Sequence, residues 1–298
     1  MSESLIQTPL SAALPSAGVA MRRARRRWAR AAGWALAAAL AGGPAAWAQD
    51  VGVGHDVGKN SAFTKLVPAA QIEQAAVQQY AQMLREAQAK NALGSDNHPQ
   101  VLRLRSIARR LIPFSYEWNP RARDWRWEVN LIGSKQINAF CMPAGKIAFY
   151  TGILDQLKLT DDEVAMVMGH EIAHALREHA RERMGKSAAT NIGVNVISSV
   201  LGFGQIGQTL TQYGAQLLTL EFSREDESEA DLVGMELAAR AGFDPRAGVT
   251  LWQKMSAASK GAPPQFLSTH PSGATRIADI ERKLPKVMPL YEAARKNG

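Results

Sequence analysis

The stretch His170-Glu171-Ile172-Ala173-His174 lies inside an apolar run from Val164 to Leu176, and its reading decides both fold and chemistry. Each residue of an α-helix turns by about 100°, so residues four apart lie roughly 40° from one another on the same face. His170 and His174 therefore send their imidazoles out one turn apart, which suits two ligands on a single zinc ion. Glu171 stands beside them, placed to take a proton from a water attacking a carbonyl and to pass it to the leaving amine. The first half of this segment is apolar nearly all round, which predicts a buried central helix. Thr160-Asp161-Asp162-Glu163 supplies a capping box with acids in the first turn. The helix is expected to run to about Met184.

A catalytic zinc takes a third protein ligand and keeps one position open. His179 lies nine residues after His170, about 180° round a continuous helix. Arg177 also stands where the metzincin pattern needs a glycine, with its histidine one residue later than His179. His179 is therefore read as a surface or supporting histidine. The better source is Ser223-Arg224-Glu225-Asp226-Glu227-Ser228-Glu229-Ala230-Asp231. Alone, such an acidic run reads as a solvated helix face. Beside paired histidines it reads as a ligand source, because Glu227 and Asp231 share a face at i and i+4. One could ligate the metal while the other accepts the free N–H of a ligating histidine.

These motifs together resemble the zinc metallopeptidase family that includes the heat-shock protease HtpX and the CaaX prenyl proteases. The likeness is strongest to soluble periplasmic members such as the β-barrel assembly-enhancing protease. It rests on His170 to His174 and on the Ser-Arg-x-x-Glu-x-x-Ala-Asp pattern at 223 to 231. It rests also on the strand-turn-strand from Asn138 to Gly152 and on Ser268-Thr269-His270-Pro271, and it covers about residues 68 to 285. The resemblance implies an α+β, mostly helical, zincin-like fold with a central HExxH helix and a small antiparallel sheet. It implies one zinc ion per chain on His170, His174 and Glu227, with Glu171 as general base and acid and Asp231 supporting a ligand. It brings His270 near the metal, as a donor to the tetrahedral oxyanion or as the occupant of the open position in a resting form. Arg224 is expected to orient an acidic neighbour or a substrate carbonyl, or to form a simple salt bridge. The implied activity is cleavage of misfolded or misassembled cell-envelope proteins. The rival is a metal-dependent chaperone or assembly factor for outer-membrane clients, and an intact Glu171 argues against it. Ala144 departs from the usual Pro-Gly-Gly turn, and the helical repeat domain of some relatives is missing.

Ahead of this domain, residues 22 to 30 hold six arginines and no acid, followed by the short apolar run Ala31 to Ala41 and by Ala46-Trp47-Ala48. That order reads as a secretory signal peptide over residues 1 to 48, with Met21 as the expected true start and the periplasm, or a membrane surface there, as destination. An uncleaved anchor is the alternative, though the apolar core falls short of the roughly 20 residues a span needs. Removing six basic residues and one acid from 35 and 27 leaves 29 against 26, a balance that does not favour nucleic acid. The single cysteine, Cys141, excludes an intramolecular disulfide and reads as core.

Residues 49 to 67 read as a flexible leader, and 68 to 298 as one metallopeptidase domain. Within it, helices are expected from Pro68 to about Lys90 and from Pro99 to Leu111. Alternation predicts strands at 124–132, 137–142 and 146–151, the last offering an edge to an extended substrate. Residues 187 to 220 carry no charge; they read as a pair of buried helices, or else as a segment that dips into membrane or covers the substrate. Helices at 223–240, from 243 and at 272–284 complete the chain.

Overall fold

The capping box expected at Thr160 forms as read: the Thr160 hydroxyl accepts from the Glu163 N–H at 3.3 Å, and the Glu163 carboxylate accepts from the Thr160 N–H at 2.8 Å. It starts the central helix of a computed structural model that describes residues 52–54, 56–192, 214, 216–217, 220–259, 264–270 and 275–297. The leader with Met21 and the Ala46–Ala48 site, His55, most of 187–220, and the Pro271 and Ser272 positions lie outside the described residues.

The described elements run α1 (Ala69–Ala89), α2 (Pro99–Leu111), β1 (Glu128–Ile132), β2 (Ala139–Met142), β3 (Lys146–Tyr150), α3 (Thr151–Leu157), α4 (Asp161–Leu176) and α5 (His179–Ile192). Then follow α6 (Arg224–Arg240), α7 (Ala247–Ala258), α8 (Gln265–Thr269) and α9 (Arg276–Asn297). The fold is α+β and mostly helical, as the resemblance implies.

The sheet is mixed rather than wholly antiparallel. Its order is β1-β3-β2, with β2 antiparallel and β1 parallel to β3. The β2–β3 hairpin closes through Ala144 and Gly145, both at positive φ (65° and 72°). Alternation marks a half-buried strand but carries no information on its direction relative to a partner, so β1 was legible as a strand and not in its orientation. The central strand is therefore β3, and the edge expected of it belongs to β2.

Helix α4 is buried from Glu163 to Leu176 and packs against α6, β2, α2 and α7. Two glycines set its approach to α6. A Cβ on Gly169 would lie 2.7 Å from the Gly234 carbonyl oxygen, and one on Gly234 would lie 2.6 Å from the His170 nitrogen. The atoms met are backbone, so only glycine at both positions lets the helices touch there.

Three segments depart from expectation. The HExxH helix stops at Leu176 instead of Met184, because Glu178 takes a left-handed conformation (φ 59°) held by Arg121 and Arg181, each 2.7 Å away. The glycine-rich leader is fastened from Gly52 onward: Val53 is fully buried, its N–H donates to Glu236 at 2.6 Å, and Asp56 pairs with Lys283 and Lys286. Helix α9 continues through Pro285 and Pro289, with Val287 fully buried, so packing outweighs the proline stop that periodicity suggested. Among the described residues no helix is long and apolar enough to cross a membrane.

Candidate metal centre

Helix α4 delivers His170, Glu171 and His174, all buried at its C-terminal half. Helix α6 begins with a second capping box, the Ser223 hydroxyl accepting from the Asp226 N–H (3.1 Å) and the Asp226 carboxylate from the Ser223 N–H (2.8 Å). That cap fixes the first turn and aims Glu227, then Asp231 one turn later, at the histidines. Short α8 ends on His270, whose N–H donates to the Phe266 carbonyl at 2.8 Å and whose ring stacks on Phe266 at 4.4 Å.

The four groups converge. His174 Nε2 lies 3.0 Å from His170 Nε2 and 3.3 Å from Glu227 Oε1, and His270 Nδ1 lies 2.9 Å from Glu227 Oε1 and 3.3 Å from His170 Nε2. One ligand atom from each of His170, His174, Glu227 and His270 falls within 4.8 Å of all the others. Two imidazole nitrogens 3.0 Å apart repel unless a proton or a cation stands between them. The outward nitrogens are engaged elsewhere: His170 Nδ1 with Asp231 at 3.0 Å and His174 Nδ1 with His179 at 2.9 Å. The Nε2 lone pairs are thus left facing inward, and this donor set of imidazoles and a carboxylate fits zinc.

Charge around the cluster is balanced by a residue that no motif marked. Arg276, at the start of α9, reaches Asp231 at 2.5 and 2.9 Å and Glu227 at 2.5 Å, with its guanidinium 3.6 Å above the Trp252 ring. Burial works against a charged Asp231, and Arg276 overcomes it, holding that carboxyl below the usual carboxylate range. Burial likewise opposes charge on Glu227, yet His270 and His174 hold it far down. Burial pushes the Glu171 carboxyl up and the His174 imidazole well down. His270 is raised in spite of burial by the facing Glu171 and Glu227 carboxylates. Among the described residues Glu171 Oε1 has no hydrogen-bond partner, and it lies 3.5 Å from His270 Nε2.

His170, Glu171, His174, Glu227, Asp231 and His270 are brought together; Arg224 is not. It is exposed on the first turn of α6, so the arginine that meets the acids is Arg276. His179, which helix arithmetic put on the far side, is 2 % exposed and touches His174 because the chain turns at Glu178. A cavity of about 300 Å³ opens beside the cluster, walled by Glu171, His174 and His270, by β2, and by Tyr150 and Phe222. Cys141 lies buried in this wall, and burial pushes its thiol up, so it belongs to the core.

A buried glutamate flanked by two histidines whose Nε2 atoms converge with a second carboxylate, beside an open cavity, is the arrangement that zinc metalloendopeptidases share. Comparison with known proteins narrows this. Residues 98–284 match Peptidase family M48, and the chain belongs to that family. It is 37% identical over 200 residues to the mitochondrial metalloendopeptidase OMA1 of Schizosaccharomyces pombe, covering 66% of this chain and 57% of that protein. It is 31% identical over 171 residues to the β-barrel assembly-enhancing protease of Yersinia pestis, covering 53% and 35%. It is 31% identical over 154 residues to metalloprotease LoiP of Escherichia coli, covering 51% and 60%. The chain thus spans less than two thirds of the length of these curated relatives.

Proposed function

We propose that this zinc metalloendopeptidase holds its metal through His170, His174 and Glu227 and cleaves unfolded segments of misfolded or misassembled cell-envelope proteins. The observation that carries the site assignment is the inward convergence of the two Nε2 atoms and Glu227 beside a buried Glu171. A zinc ion held by these three residues would supply Lewis-acid polarisation of the scissile carbonyl. Glu171 takes the proton of the attacking water and returns it to the departing amine, its basicity raised by burial. Asp231 keeps the hydrogen of His170 on Nδ1, and Arg276 keeps Asp231 ionised. His270 faces the reaction space at Nε2 and is assigned as the donor to the developing oxyanion. The free edge of β2 pairs with an extended substrate backbone, which selects unfolded chains with little regard to sequence.

The envelope setting is supported by the arginine-rich leader with its short apolar run, and by the relatives named for β-barrel assembly enhancement and LoiP. The OMA1 relatives favour a second setting, the mitochondrion, because an arginine-rich, acid-poor leader also serves as a transit sequence. Fractionation of the native host separates the two, and an alkaline wash of its membranes tests surface association.

Activity is tested by digestion of unfolded casein with the wild type and with Glu171→Gln, measuring zinc on the same samples. Cleavage by the wild type alone, at equal zinc content, is the expected result. Equal zinc with no cleavage by either protein would favour the binding-only chaperone.

A further inference from the structure

His179 takes no part in the peptide-bond chemistry, yet the chain bends out of its helix to bring it in. On an uninterrupted helix a residue five positions after His174 lies about 140° round the axis, facing away. Glu178 instead adopts φ 59°, a left-handed conformation that a non-glycine residue takes only when its surroundings hold it there. The next side chain is then turned back onto His174.

We propose that His179 is a positioning residue that fixes the tautomer of His174, and with it the nitrogen that His174 offers the metal. The inference rests on the assignment of His174 as a ligand. A neutral imidazole carries one N–H and one lone pair. His174 Nε2 faces the cluster, 3.0 Å from His170 Nε2 and 3.3 Å from Glu227 Oε1, so a lone pair there requires the hydrogen on Nδ1. That atom lies 2.9 Å from His179 Nδ1. Only one of two nitrogens so close can donate, so His179 accepts at Nδ1 and carries its own hydrogen on Nε2.

The far end of the chain sets this polarity. His179 Nε2 makes no hydrogen bond among the described residues, and the Glu229 carboxylate stands 3.5 Å from it, itself paired with the buried Arg177. Arg177 is anchored in turn on the Gly58 carbonyl at 2.5 Å. The negative charge there favours the hydrogen of His179 on Nε2, which leaves its Nδ1 to accept from His174 and the lone pair of His174 at the cluster. His170 has the same service directly from Asp231 at 3.0 Å. His174 receives it through an intervening imidazole, and Phe222, stacked at 4.0 Å on its ring, holds the plane.

The test uses wild type, His179→Leu, His179→Asn and His174→Ala, with zinc affinity measured by competition against a chromophoric chelator and melting temperature measured on the zinc-free proteins. Leucine fills the space without an acceptor, whereas the asparagine oxygen stands near the position of Nδ1. Zinc binding is expected to weaken about 10–100-fold in His179→Leu and to stay within about threefold of wild type in His179→Asn, as for an outer partner of a metal-ligating histidine. Wild-type affinity in His179→Leu overturns the proposal. An equal loss in His179→Asn also overturns it, since the acceptor would then be irrelevant, and a loss that follows the zinc-free melting temperature makes His179 a packing residue. If His174→Ala keeps wild-type zinc affinity, it is the ligand assignment that fails, a result distinct from the other three.

Discussion

Replacing Gly234 with alanine tests whether the contact between α4 and α6 sets the metal site. The added Cβ would stand 2.6 Å from the His170 nitrogen, 2.8 Å from the Gly169 carbonyl carbon and 2.9 Å from the His170 Cα. Ordinary carbon contacts lie near about 3.5–4.0 Å, so the helices must part by roughly 1 Å. Overpacking of this kind costs about 1–3 kcal/mol, of which about 1 kcal/mol returns through helix propensity. The remainder, up to about 2 kcal/mol, lowers the melting temperature of a domain of this size by at most roughly 4–8 °C. The chemical effect is expected to be larger. Glu227 and Asp231 ride on α6 while His170 and His174 ride on α4, so the displacement opens the cluster across its middle. Misplacement by about 1 Å can cost on the order of 100-fold in rate. Casein hydrolysis at saturating zinc should therefore fall by about that factor at a temperature where circular dichroism shows the variant fully folded. A variant with wild-type activity and zinc affinity would refute the reasoning, and so would one that is merely unfolded.

Three further outcomes follow from the charges at the site. Because burial raises the folded pKa of Glu171 above its ordinary value of 4.5, the acid's contribution to stability is present below that value and lost as pH rises through the folded pKa. Glu171→Gln should thus raise the melting temperature of the zinc-free protein near neutral pH and not at about pH 4, and the reverse pattern would contradict the burial argument. Arg276→Met leaves Glu227 and Asp231 buried without their cation, a loss of about 3–5 kcal/mol, read as a fall of roughly 6–20 °C in the zinc-free melting temperature. A change within about 1 °C would mean that the acids find another partner. His270→Ala should lower kcat by about 100-fold or more with KM little changed, as for removal of an oxyanion donor. A rise in activity would instead make His270 the occupant of the open metal position in a resting enzyme.

What was legible in the sequence was what depends on short separations. The HExxH face, the Thr160 capping box and the Glu227–Asp231 pair all rest on separations of three or four residues, and a helix converts such spacing directly into shared direction. The division of labour proposed for Glu227 and Asp231 was not contained in that spacing. It follows from the depth at which α6 meets α4, which Gly169 and Gly234 permit. Those glycines were a readable signal, since an isolated glycine inside a helical pattern costs stability and points to a close approach. The break after Leu176 was not readable. Nothing in Arg177-Glu178-His179 stops a helix locally, and the left-handed Glu178 is held by Arg121, 57 residues away in sequence. Arg276 lies 45 residues beyond Asp231 in no recognisable pattern, and its pairing follows only from the docking of α9 beside α6 and α7. The proposed ligating groups His170, His174 and Glu227 are therefore a local property of two helices. The groups that aim and neutralise them come from distant segments, so substitutions at Glu178, Arg276 or Gly234 can disable the centre while leaving every residue of its motifs intact.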